Sequence, residues 1–204
     1  MAINLSKGQK VSLVKKSNKL GEILVNLNWN SSPKNKGFFA SAFGNNNGKN
    51  QGIDLDLGCL YELKDGRKGC VQALGNSFGS LSQVPYVSLD GDDRTGESTD
   101  GENLRINGDK VSEIKRILVY TFIYEGVANW QQADAIVTIK YPGADDIIVK
   151  MDSYDSIETM CALALFENQY DETFSVEKLI QFYHSHSALD KAFGWGLKWV
   201  PGKK

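Results

Sequence analysis

The chain has 204 residues, 41% of them hydrophobic, which is enough apolar side chain for a substantial core and excludes a disordered or fibrous protein. Its 23 lysines and arginines against 25 aspartates and glutamates leave a formal net charge of -2, a balance that argues against a general electrostatic grip on nucleic acid. No stretch approaches the ~20 apolar residues of a membrane span, and the first 21 residues lack a signal-peptide core, so the expected compartment is the cytoplasm.

Cys59, Cys70 and Cys161 are an odd number, widely spaced, without a C-x-x-C pair or a partnering histidine. They read as reduced core residues, and neither a disulfide frame nor a zinc site is indicated.

In chain order, the first strong pattern is Ile23 to Trp29, where Ile23, Val25, Leu27 and Trp29 alternate with polar Asn26 and Asn28. That predicts a half-buried strand. Residues 30–51 are rich in Asn, Ser, Gly and Lys and read as a long loop, with Phe38, Phe39 and Phe43 tucking it onto a sheet.

Residues 52–75 predict a hairpin turning at Asp65-Gly66. In its first strand Ile53, Leu55 and Leu57 share one face, which leaves Asp54 and Asp56 on the other, roughly 7 Å apart at twice the strand rise. Such a pair could chelate an ion jointly with a nearby loop, or form a solvated acidic edge.

Leu89 to Asn103 packs Asp90, Asp92, Asp93, Glu97, Asp100 and Glu102 into thirteen positions, with Arg94 as the one cation and Gly91, Gly96 and Gly101 at intervals of five. Carboxylates this close repel one another unless a cation or solvent relieves the field. Hard oxygen donors on a glycine-punctuated loop are what calcium (Ca2+) prefers; the plainer reading is a solvated acidic turn. An EF-hand is excluded, because counting from Asp90 puts Arg94, Thr95 and Gly101 at the fifth, sixth and twelfth positions. Calcium ligands would therefore also have to come from elsewhere in the chain.

Ile114 to Glu125 is apolar on both alternations, as a central strand is. Residues 134–141, 146–151 and 159–167 continue at short spacing, with a turn at Tyr141 to Ala144. Residues 174–183 fit period two and also a helix; strand is preferred. Ser187 to Phe193 predicts a short helix stopped by Gly194, followed by a closing strand or extended tail over Trp195 to Val200. The fold class is mainly β: a two-sheet antiparallel β-sandwich with a short C-terminal helix, one domain over 1–204.

Val25, Leu27 and Trp29, then Asp54-Leu55-Asp56, then Gly91 to Glu97 with Asp100 and Glu102, together resemble the TerD-domain family of bacterial tellurium-resistance and stress-response proteins. Residues 123–139 resemble a later strand of the family, although Lys140 stands where His or Tyr is usual, and the ending is similar to the TerA-like branch. The resemblance implies a sandwich binding Ca2+ through acidic loops at one end. It carries the ligand role to Asp54, Asp56, Asp92, Asp93, Glu97, Asp100 and Glu102, beside Asp90 from the acidic loop itself.

Asn30 stands where the family often has Asp after the Trp, a neutral ligand at best, and the trailing acidic run is shortened to residues 98–103. Calcium affinity falls with ligand charge, so the expectation is one weaker site or a partial loss of two. The resemblance further implies a non-catalytic role in tellurite and stress resistance, acting through other proteins of that system.

Two other readings carry less. His184 and His186 with Asp190, or a pair from the acidic cluster, could serve a hydrolase, but no G-x-S-x-G, H-E-x-x-H or P-loop pattern accompanies them. The histidines read instead as a polar turn before the helix. A calcium-dependent membrane-surface binder would carry basic or apolar residues beside the loops, where Arg94 and Lys49 are scant. Trp29 and Trp199 lie in strand-like alternations and read as core; Trp130 and Trp195 lie beside loops and are candidate contact anchors, though packing is the preferred reading for all four.

Overall fold

The computed structural model describes residues 1–15, 19–30, 53–90, 101–126, 129–151, 154 and 156–201. In chain order its strands are β1 (Ala2–Asn4), β2 (Lys10–Ser12), β3 (Glu22–Asn28), β4 (Asp54–Leu63), β5 (Lys68–Gln72), β6 (Gly79–Ser80), β7 (Val87–Leu89), β8 (Glu102–Asn107), β9 (Ile114–Glu125), β10 (Ile136–Lys140), β11 (Asp146–Lys150), β12 (Met160–Gln169) and β13 (Thr173–Tyr183). A 3-10 helix (Gly108–Glu113) precedes β9, α1 (Trp130–Ala133) precedes β10, and α2 (His186–Phe193) follows β13.

The strands form two sheets, β1-β11-β10-β3-β8-β7-β6 and β2-β13-β12-β9-β4-β5. Every pairing is antiparallel except β1 with β11. The expected alternations decide which residues meet between them. Ile23, Val25 and Leu27 of β3 and Leu104 and Ile106 of β8 face Leu55, Leu57 and Cys59 of β4 and Ile117 and Val119 of β9, all fully buried. Each such aliphatic contributes about 1.5–3 kcal/mol when fully buried. All three cysteines are free; Cys59 and Cys161 are buried and Cys70 is half-buried.

β9 is apolar on both alternations because the six-stranded sheet is covered twice. Leu118, Tyr120 and Phe122 point outward with Leu60, Met160 and Leu179, and Leu189 of α2 and Trp195 close over them. The segment 174–183 is strand. Its mixed period has a local cause: Ala162 pairs with Tyr120 and Gln181, but Ala164 pairs with Val119 and Lys178, so the register slips at Leu163 and Ile180 takes a positive φ of 48°.

α2 is capped by the Ser185 hydroxyl, which accepts the Ala188 amide, and stops at Gly194 in the left-handed region. Of the two expected outcomes after it, closing strand or extended tail, the chain takes the second, a non-strand tail fixed by side chains. Buried Asp190 accepts from the Gly196 amide (2.7 Å), the Leu197 amide (3.0 Å) and Trp199 Nε1 (3.1 Å). Trp195 donates Nε1 to the Tyr61 carbonyl at 3.0 Å, and the Arg116 guanidinium stacks 3.7 Å above its ring.

Arg116 is itself held by Glu62 (Nε to Oε2, 2.6 Å), a buried carboxylate that also takes Lys115 at 2.8 Å and lies 3.7 Å from Lys68. Burial pushes Glu62 up, but the hydrogen bonds from Lys115 and Arg116 outweigh it and leave the carboxyl below its ordinary value. Packing, the preferred reading for all four tryptophans, holds, with Trp130 (0% exposed) and Trp195 (2%) fully buried and Trp29 and Trp199 half-buried. His184 is an exposed turn residue, whereas His186 begins α2 with its ring 5.5 Å from Tyr120, 4.9 Å from Phe122 and 5.0 Å from Trp199. Burial among these rings lowers its pKa from 6.5 to about 4.

Two outcomes are expected. Glu62→Gln should cost roughly 2 kcal/mol, the range for charge-assisted hydrogen bonds, read as a lower urea midpoint with earlier exposure of Trp195 fluorescence. For His186 the folded pKa lies below the unfolded one, so the unfolded chain takes up the proton first. Its contribution is intact above about pH 6.5 and is lost as pH falls to about 4, by about 3 kcal/mol at most. Urea midpoints at pH 7 and pH 4.5 should therefore separate more in the native chain than in His186→Phe, which removes the titration; equal separation would refute the assignment.

Candidate functional site

The end of the sandwich where β3 finishes and β4 and β8 begin gathers the described acids. Trp29 Nε1 donates to the Ile53 carbonyl at 2.9 Å, tying the end of β3 to the start of β4. Leu27 pairs with Glu102 across β3 and β8, and Gly101, at φ 61°, packs so closely that an added Cβ would lie 2.1 Å from the Leu27 carbonyl oxygen. The chain re-enters here from residues 91–100 through a position only glycine can fill. Asn30, Ile53, Asp90 and Gly101, which flank segments 31–52 and 91–100, are held at this end by these contacts and by backbone bonds from Asn30 to Ala133 and from Asp90 to Asn103.

Glu102 is a strand residue, not part of a solvated turn. In β8 it shares the inward phase of Leu104 and Ile106 and is 2% exposed. Its Oε2 accepts the Leu57 amide at 2.5 Å, just beyond the point where β5 ceases to pair with β4 at Gly58. The carboxylate of one sheet thus caps a free backbone donor of the other.

Asp56, next to Leu57, lies on the outward side of β4 as expected, but it is 0% exposed, which rules out a solvated acidic edge there. Its neighbour on that side is Tyr120, whose phenol is held well above its ordinary value first by burial, then by Cys70 and Cys59, and then by the charge of Asp56. Asp54, half-buried, is at the start of the same strand, paired with Glu125.

Asp90 departs from expectation. Its carboxylate takes Arg105 through Nε at 2.7 Å and Nη2 at 2.6 Å, and Arg105 also binds Glu22, an ion network on the outer face of the seven-stranded sheet. A carboxylate so engaged is a poor ion ligand. Asp92, Asp93, Glu97 and Asp100 lie outside the described residues, as do Phe38, Phe39, Phe43, Lys49 and Arg94. Among the described residues no three His, Cys, Asp or Glu side chains come together as a metal site. Asp54, Asp56 and Glu102 lie toward the end from which the acidic segment departs, but they do not by themselves come together as a metal site. The alternation Glu102-Leu104-Ile106 was the sequence signal for the inward acid; nothing local announced the Leu57 amide as its partner.

Residues 1–146 match the TerD domain. The chain is 44% identical over 194 residues to the tellurium resistance protein TerA of an Alcaligenes species, covering 95% of this chain and 56% of that protein. It is 34% identical over 134 residues to the stress response protein SCP2 of Bacillus subtilis (strain 168), covering 64% of this chain and 65% of that one. It therefore spans less than two thirds of the length of either relative. The fold is shared with two solved structures. One is SAV2460, a protein of unknown function (TM-score 0.60, 14% identity, 88% of this chain and 99% of that chain). The other is SCO6318, a TerD homologue from Streptomyces coelicolor A3(2) (TM-score 0.54, 18% identity, 84% and 95%). With its sandwich, its inward acid at the loop-bearing end and a domain match over most of its length, the chain belongs to the TerD-domain family.

Proposed function

We propose that this chain is a calcium-binding, non-catalytic β-sandwich of a tellurite- and stress-resistance system, working in the cytoplasm through contacts with other proteins. The names of its relatives TerA and SCP2 support the biological setting. No helix among the described residues is long and apolar enough to cross a membrane. The observation that carries the calcium reading is the burial of Asp56 and Glu102, from opposite sheets, at neighbouring positions of one end.

Burying carboxylates is costly unless positive charge or hydrogen bonds accompany them. A divalent ion would add to the partners these carboxylates have in the fold, because the next acids in the chain belong to segment 91–100 and calcium accepts six to eight oxygens at irregular angles. Asp54, Asp56 and Glu102 would hold it together with acids from Asp92, Asp93, Glu97 and Asp100, and Asn30 would add at most a neutral oxygen. The ion would supply charge neutralisation and stiffen the loop-bearing end, which in turn would shape the surface offered to a partner protein.

Calcium that binds only the folded state should raise the thermal midpoint, by the equivalent of about 2.7 kcal/mol at one hundred times the dissociation constant. Glu102→Gln keeps an oxygen for the Leu57 amide but removes the charge, and Asp56→Asn does the same at its position. Each should weaken calcium by more than about tenfold while leaving the calcium-free melt within a few degrees. No midpoint shift at millimolar calcium, or equal shifts in all three proteins, would remove calcium from the reading.

A further inference from the structure

A cavity of about 500 Å³ opens beside β5, between the turn that follows that strand, the first turn of α2 and the C-terminal tail. Its volume is in the range of sites for small organic ligands, about 300–1,000 Å³. Its walls are unusually well fixed for a surface feature. Trp199 is held by Asp190, and Gln72 is engaged at both ends of its amide, donating to the Leu74 carbonyl at 3.1 Å and accepting from Tyr120 Oη at 2.7 Å. A site whose walls are ordered beforehand loses less entropy when it binds.

Among the described residues, Lys198 is the only charged one lining the cavity and no carboxylate lines it. Cys70, on the inner wall, is a neutral thiol, because burial pushes its pKa up. The polar groups left for a guest among the described lining residues are few: the Lys198 ammonium, which enters no ion pair among the described residues, and Ser187 at the start of α2. Trp199 and Leu74 supply the apolar surface.

We propose that this cavity binds a small planar organic anion of the aromatic carboxylate class, its ring against Trp199 and Leu74 and its carboxylate on Lys198 and Ser187. The ring requirement follows from the Trp199 face and from a volume that exceeds the needs of an inorganic anion; the sign follows from Lys198 standing without an opposing carboxylate. His186, kept neutral by burial among its aromatic neighbours, adds no charge to the wall.

The test is a titration of the full chain with 2-naphthoate, followed by amide and indole N–H shifts. The expected result is saturable shifts at Leu74, Gly75, Ser77, Ser187 and the Trp199 indole. Lys198→Glu, at an exposed position, should weaken binding by at least about tenfold, and the neutral probe 2-naphthamide should lose a similar factor on the native chain. Leu74→Trp, which fills the cavity, should abolish the shifts while the spectrum elsewhere stays native. If Leu74→Trp does not fold, Lys198→Glu and the neutral probe decide alone. Absence of saturable shifts at these residues overturns the assignment of a site. Equal binding of naphthoate and naphthamide, or no loss in Lys198→Glu, overturns the assignment of an anion.

Discussion

The bond from the Leu57 amide to Glu102 joins the two sheets at the end where the long connections depart. An acid in the inward phase of a strand is an expensive choice, since a buried carboxylate must recover in specific contacts what it loses in hydration. Here it meets a backbone amide that β5 has left behind by ending at Gln72. The cost of each feature is lowered by the other. Glycine at 101 is part of the same constraint, because the chain must approach the Leu27 carbonyl too closely for any side chain before it can deliver residue 102 to that place.

The other buried acids are used differently, and the contrast clarifies the first. Glu62 is surrounded by Lys68, Lys115 and Arg116, and Asp190 by two amides and an indole N–H. Both are closed structural devices that hold the C-terminal tail onto the six-stranded sheet. Asp56 and Glu102 instead stand at the rim, beside the segment that carries Asp92, Asp93, Glu97 and Asp100 in the sequence. Glu62 and Asp190 tie the tail to the sheet, whereas the acids at the loop-bearing end have more acids as their sequence neighbours.

The long strands were legible because their side chains alternate against a core. β3, β9, β10 and β11 follow the pattern closely, and the double cover of the six-stranded sheet could be foreseen in β9, apolar on both sides. β1, β2, β6 and β7 are two or three residues long, too short to display a period. The tryptophans differ in depth for a tertiary reason. Trp195 is buried by Arg116 and Tyr61, which are distant in sequence, so its position beside a loop said nothing about its exposure. At the candidate site, the burial of Asp56 was not readable from spacing, because it depends on the cover over the outer face of the six-stranded sheet. Asp90 looked like its acidic neighbours until Arg105, across β7 and β8, claimed it.

The acidic end and the tail cavity are neighbours through β4 and β5. Leu57 meets Glu102, the next residue, Gly58, pairs with Gln72, and Gln72 accepts the Tyr120 hydroxyl inside the cavity wall. Gly58 transmits this arrangement rigidly: a Cβ there would lie 2.8 Å from the Tyr120 ring, so strand and ring are in direct contact.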